Sequence, residues 1–183
     1  LGRVYQDPMM GTAAGMQIEE NLALAARRGK RRTLRPMITK DERESYRALL
    51  AELGLGLESR LSAKVGTLSG GQRQALTLLM ATLQSPKLLL LDEHTAALDP
   101  KTAARVMELT EKIVNETHLT TLMITHNMRD AINYGNRLIM LHDGHVILDI
   151  SGEEKAKLTV AELLEMFSKA SGNEFADDRA ILA

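Results

Sequence analysis

Residues 87–92 read Lys-Leu-Leu-Leu-Leu-Asp, a nearly pure leucine run that ends on two adjacent carboxylates, Asp92 and Glu93. A run this short and this apolar predicts a strand buried on both faces, the situation of strands in a parallel sheet covered by helices. Thr121–Thr125 repeats the texture and predicts a second buried strand. Between the two, Asp99-Pro100 opens a helix with Val106, Leu109 and Ile113 on one face, and proline suits a first helical position, where its missing N–H is not needed. Strand–helix alternation from residue 87 to 141 therefore predicts an α/β fold with parallel strands.

Upstream of Pro86 the pattern is mainly helical. Ile18, Leu22 and Ala25 recur at helical spacing. Thr39 followed by Glu42 has the form of a capping box, ahead of a stripe of Tyr46, Leu49, Leu50 and Leu53 that stops at Gly54. A third helix is expected from near Ser69 to about Gln84. Downstream, Met128–Tyr134 reads as a short helix, and Arg137–Leu141 and His145–Ile150 as strands around the turn signal Asp143-Gly144. Thr159 and Glu162 predict another capped helix carrying Val160, Leu163, Leu164 and Phe167. The expected organisation is thus an end of a core strand and a loop over 1–9, a helical subdomain over 10–86, an α/β core over 87–167 and a polar tail over 168–183.

Composition narrows the chemistry. With 44% hydrophobic residues in 183, the chain can bury a substantial core. A formal net charge of -1 gives no bulk electrostatic reason to expect nucleic acid as a partner. The absence of cysteine excludes disulfides, thiolate zinc sites and cysteine nucleophiles. No stretch approaches the ~18 consecutive apolar residues of a membrane-spanning helix. The ten methionines read as packing residues, and His118, His142 and His145 as loop or turn residues without ligand spacing. Arg27, Arg28, Lys30, Arg31, Arg32 and Arg35 form a basic stretch that suits a solvated loop, or a surface for nucleic acid or lipid headgroups.

Several segments carry chemistry. Ser69-Gly70-Gly71 at a helix start is suited to an anion, because two glycines allow close backbone approach and the free N–H groups and helix dipole favour negative charge. The same tripeptide also suits a loop and helix cap with no ligand. Asp92 and Glu93 lie at the C-terminal end of a buried strand, the rim where open α/β sheets bind ligands. One carboxylate there can hold Mg2+ through oxygen and the other can polarise a water. His126 follows the second strand and is expected at the same rim. Gln6 follows Val4-Tyr5 and precedes Asp7-Pro8.

Together these segments resemble the ATP-binding cassette (ABC) ATPases over essentially the whole chain. Leu68–Gln72 matches that family's signature motif, Leu88–Glu93 its Walker B strand, Ala97-Leu98-Asp99 its D-loop, His126 its switch histidine and Tyr5–Pro8 its Q-loop. The resemblance implies a partial P-loop NTPase core with a mainly parallel sheet and a helical subdomain. It implies ATP and Mg2+ as ligands. Gln6 would contact Mg2+ and the attacking water. Ser69, Gly70, Gly71 and Gln72 would cover the γ-phosphate held by a second, head-to-tail subunit, and Asp99 would face that subunit. Asp92 would hold Mg2+, Glu93 would act as general base, and His126 would bond the γ-phosphate. Membrane permease subunits are the implied partners, with a substrate-binding protein acting indirectly, at the cytoplasmic face of the membrane. The run Thr120–Met128 is most similar to importer ATPases of tryptophan- or tyrosine-type uptake systems.

Two departures stand out. The phosphate-binding loop G-x-x-x-x-G-K-[ST] is not found, since Arg31 follows the Gly29-Lys30 pair. In the family that loop lies upstream of the Q-loop. The chain, which opens on Leu1 inside an apparent strand, is therefore expected to be a fragment, with an incomplete sheet, an exposed strand edge and little ATP turnover by itself. His94 follows Glu93 where many relatives have proline, a change that fits harmless loop variation or the mark of a subfamily. Two other readings stay open at this point: a non-transport cassette ATPase acting on nucleic acid or ribosomes, and a non-catalytic interaction module.

Overall fold

A computed structural model describes residues 1–30 and 36–170. The chain divides into two compact units, Leu1–Ile124 and the part from Thr125 onward. Arg31, Arg32 and Arg35 of the basic stretch, and the tail after Ala170, lie outside the described residues.

The first unit is built on a parallel sheet in the order β1 (Gly2–Val4), β2 (Leu89–Asp92) and β3 (Thr121–Ile124). The register pairs Val4 with Leu91 and Asp92 with Ile124. The four helices of this unit are α1 (Ile18–Ala26), α2 (Lys40–Glu52), α3 (Gly70–Thr82) and α4 (Pro100–Thr117). Their starts follow from local hydrogen bonding. Thr39 and Glu42 exchange the two bonds of the expected capping box, at 3.2 and 2.8 Å. Gln17 with Glu20 and Ser69 with Gln72 form two more such boxes. The Asp99 carboxylate accepts from the Thr102 N–H at 3.1 Å and starts α4, with Pro100 at its first position.

The core gathers Val4, Ile18, Leu22, Leu50, Leu57, Leu76, Leu78, Leu89 and Leu91, all nearly or fully excluded from solvent. Burial along β2 corrects one expectation. Leu89 and Leu91 are buried, whereas Leu88 and Leu90 are half-buried. On β3, Leu122 and Ile124 are 52% and 54% exposed. The sheet is thus covered on the face of Val4, Leu89 and Leu91 and open on the face of Arg3, Leu90 and Leu122. The physical reason is the side on which the helices pack: α3 lies against β1, and α1 and α4 lie against α3. An apolar run predicts that a strand will be buried; it does not say how many layers are present to bury it.

Packing between α3 and α4 is tight at one point. Gly71, in the first turn of α3, stands so close to Thr102 in the first turn of α4 that a Cβ at position 71 would lie 2.0 Å from Thr102 Cγ2. Thr102 is β-branched and has little freedom to move that methyl aside.

The second unit holds α5 (Met128–Asn133), the antiparallel pair β4 (Arg137–His142) and β5 (His145–Ser151), then α6 (Gly152–Lys157) and α7 (Val160–Ala170). The predicted hairpin turn is present: Asp143 and Gly144 have φ of 47° and 77°, the left-handed pair that matches strand twist in a two-residue loop. Arg137 and Asp149 form a two-bond ion pair across the hairpin. Leu163 on α7 is fully buried. Helix α6 was not legible from periodicity, since a six-residue helix shows less than two turns of pattern. It is held by Lys155, a buried lysine whose ammonium donates to the Ile132 and Tyr134 carbonyls. Among the methionines, Met80 and Met107 are buried and Met123 and Met140 half-buried, but Met9 and Met10 are 47% and 67% exposed.

Two outcomes follow. Leu78→Ala, which empties a fully buried position, should lower unfolding free energy by about 3 kcal/mol, while Leu122→Ala should change it by less than about 0.5 kcal/mol; urea denaturation of the 183-residue chain measures both. Gly71→Ala should destabilise the chain by about 1–3 kcal/mol through overpacking. Combining it with Thr102→Ser, which removes the opposing methyl and keeps the hydroxyl, should recover most of the loss in the same measurement.

Candidate functional site

The rim is set by the parallel register. Because Val4 pairs with Leu91, Gln6 and Glu93 each stand two residues beyond that pair, at the same C-terminal edge of the sheet. Gln6 is exposed, and Asp92 and Glu93 are half-buried. The register therefore places Gln6, Asp92 and Glu93 at one edge of the sheet.

Asp92 is not idle. Its Oδ2 accepts from Arg3 Nη2 at 2.8 Å, and the Arg3 guanidinium lies 4.5 Å from the centre of the Tyr5 ring. Both partners lie on the open face of the sheet, Arg3 on β1 and Asp92 on β2. A sequence reading missed Arg3. The available signal was its alternation with the inward-facing Gly2 and Val4, which puts a cation on the opposite face of the same strand.

Glu93 has a φ of 45°, the left-handed region, while its N–H donates to the Ile124 carbonyl at 3.0 Å. A residue with a side chain costs about 1–2 kcal/mol there, so the surrounding bonds must hold it. The next side chain, His94, turns inward and is 2% exposed. Its Nε2 is 3.1 Å from Thr110 Oγ1 on α4, and burial pushes the imidazole down to about 4. A surface loop variation does not describe this residue. Further along, hydrogen bonds from the Thr102 hydroxyl and backbone hold the Asp99 carboxyl below its ordinary value.

The second cluster is the start of α3. Ser69 Oγ accepts from the Gln72 N–H and Gln72 Oε1 accepts from the Ser69 N–H, at 3.3 and 3.2 Å. Gln72 Nε2 also donates to the Leu55 carbonyl at 3.2 Å. Ser69 and Gly70 are exposed and Gly71 is buried. Both glycines face close neighbours: a Cβ at Gly70 would lie 3.3 Å from Leu98 Cδ2, and one at Gly71 2.0 Å from Thr102 Cγ2.

Two further α3 side chains reach the segment around Gln6, and the sequence reading had not singled them out. Gln74, fully buried, donates from Nε2 to the Tyr5 carbonyl at 3.0 Å. Arg73 donates to the Gly66 and Leu68 carbonyls and contacts the Met9 sulfur. The signal for Gln74 was a polar residue on the apolar face of α3.

His126, in the second unit, follows β3 by two residues and is exposed. The turn after it is fixed locally, since the Asn127 N–H donates to Thr125 Oγ1 at 3.0 Å and Asn127 Oδ1 caps α5. Burial pushes the Asp130 carboxyl up, and the neighbouring His126 acts in the opposite direction.

Among the described residues no group of three or more His, Cys, Asp or Glu side chains could hold a metal ion by itself. Asp92 offers a single carboxylate. That donor set fits Mg2+, which keeps waters and shares its shell with substrate phosphates, and does not fit zinc in an all-protein cage. No helix among the described residues is long and apolar enough to cross a membrane.

The chain is 52% identical over 170 residues to a tyrosine transport ATP-binding protein of Clostridioides difficile (strain R20291), covering 93% of this chain and 67% of that relative. It is 34% identical over 146 residues to the methionine import ATP-binding protein MetN of Streptococcus pneumoniae serotype 4, covering 77% of this chain and 39% of that one. Among solved structures, an ATP-binding cassette captured as a dimer in a post-hydrolysis state with ADP and Pi superposes with a TM-score of 0.66 at 29% identity, covering 82% of this chain and 62% of that one. The chain thus spans between 39% and 67% of the length of these proteins. The family model described as "ABC transporter" matches residues 1–96, and the chain belongs to that family.

Proposed function

We propose that this chain carries the signature, carboxylate and switch segments of an ATP-hydrolysing subunit that powers solute import through a membrane permease. The observation that carries the proposal is the pairing of Asp92 and Glu93 with Gln6 at one rim of a parallel sheet. The reaction is transfer of the γ-phosphoryl group of ATP to water, in which positioning and charge neutralisation do most of the work. Mg2+, when bound, supplies neutralisation of the phosphate oxygens. Asp92 would hold that ion, and Gln6 would contact it.

Glu93 accepts a proton from the attacking water, and Gln6 orients that water. Ser69, Gly70, Gly71 and Gln72 close over the γ-phosphate bound by a second copy of the subunit, and Asp99 faces that copy. His126 bonds the γ-phosphate from the segment after β3. The 52% identity to a tyrosine transport ATP-binding protein favours an aromatic amino acid as the solute, which the permease and a substrate-binding protein would select. The similarity to transport ATP-binding proteins favours peripheral attachment at the cytoplasmic face of a membrane, through the permease and with no nucleic acid partner.

In the complete subunit, Glu93→Gln should lower ATP hydrolysis by at least about 100-fold while leaving ATP binding intact. Glutamine keeps the shape of the side chain but cannot take the proton. With uncleaved ATP in place, dimers should accumulate, and light scattering with ATP and Mg2+ should show them. A wild-type rate, or a mutant that binds ATP and stays monomeric, would remove Glu93 from this role. Asp92→Asn should instead raise the Mg2+ concentration needed for half-maximal ATP binding, measured by titration at fixed nucleotide.

A further inference from the structure

His94 lies between two parts of the proposed site, Glu93 and the Asp99 segment, and its side chain points away from both into the protein. The Thr110 hydroxyl gives its proton to the Val106 carbonyl at 2.8 Å. It can therefore only accept from His94, at 3.1 Å. The imidazole therefore carries a hydrogen on Nε2 and donates it to Thr110 on α4. A polar ring that is 2% exposed and bonded to a hydroxyl that is itself 5% exposed forms a dry, directional tether.

The tether adds to the backbone bonds that hold the turn. Glu93 is held on one side by its N–H to the Ile124 carbonyl at 3.0 Å, and its own carbonyl accepts from the Ala96 N–H at 3.0 Å. Its left-handed φ of 45° is not a conformation that glutamate prefers. A weaker hold on this turn would let φ relax toward its ordinary range, and the carboxylate would rotate with it. His94 supplies an anchor at α4, the same helix that begins at Asp99.

We propose that His94 is a positioning residue: by bonding Thr110 it ties the turn at Glu93 to α4 and fixes where the Glu93 carboxylate meets the attacking water. The proposal rests on the assignment of Glu93 as the base. It concerns orientation, so it touches the rate of the chemical step and leaves nucleotide binding alone. A displacement of about 1 Å at a reacting group can cost on the order of 100-fold in rate.

The test is steady-state ATPase kinetics on the complete subunit with its permease, alongside nucleotide binding and thermal unfolding. His94→Ala and Thr110→Val should each lower kcat by about 10-fold or more with KM within about 2-fold. The double variant should be no slower than the worse single one, since both remove one bond. His94→Gln, which places an amide N–H near the position of Nε2, and Thr110→Ser, which keeps the hydroxyl, should restore most of kcat. Thr110→Val removes the bond from the helix side and carries the test if His94→Ala does not fold. An unchanged kcat in folded Thr110→Val, losses that multiply in the double variant, or no recovery in either conservative variant would overturn the proposal. Glu93→Gln measured in parallel separates the two levels. If it hydrolyses at the wild-type rate, the base assignment falls. If it is inactive while Thr110→Val keeps full kcat, only the positioning role falls.

Discussion

Strand β2 is hydrogen-bonded on both sides, to β1 and to β3, and the location of every rim residue in the first unit depends on that double pairing. Leu89 and Leu91 drive one face of the strand into the core, which fixes its depth. Parallel pairing then fixes its height relative to both neighbours. Because parallel strands run in the same direction, the chain leaves β1 and β2 at one edge, and Gln6 and Glu93 are delivered there together. No side chain at the rim has to find its place alone; two ladders of backbone bonds do so in advance.

Helix α3 is the second organising element. Its first turn carries Ser69 and Gly70, and its buried face carries Gln74, which bonds the backbone immediately before Gln6. One rigid helix thus touches both clusters proposed to act on ATP. Arg73 adds a contact to Met9 beyond Gln6. The exposed start of α3 and the segment around Gln6 cannot shift independently without breaking a bond to a fully buried amide, which is costly to leave unpaired.

The capped helices were legible because capping is local: Thr39 with Glu42, and Thr159 with Glu162, announce themselves within one turn. The hairpin around Asp143-Gly144 was legible for the same reason. The leucine run marked β2 and its terminal carboxylates, and the likeness of Leu68–Gln72 to a signature motif marked the start of α3. What the sequence could not convey was long-range. The open face of the sheet depends on where helices pack, so Leu122 and Ile124 read as buried and are not. Arg3 and Gln74 matter through partners 89 and 69 residues away. His94 looked like loop variation because its significance lies in Thr110, one helix later.

The Arg3–Asp92 pair has a consequence for how the site is loaded. Its side chains are 48% and 37% exposed, so the attraction between them is weak and is screened by ordinary salt. Arg3 is long and flexible, and its stacking on Tyr5 gives it somewhere to rest once the carboxylate is taken. If Asp92 holds a divalent ion as proposed, filling that position would exchange one cation for another and would not create a charge pair from nothing. The carboxylate would be neutralised before the ion arrives, by a partner that gives it up at little cost.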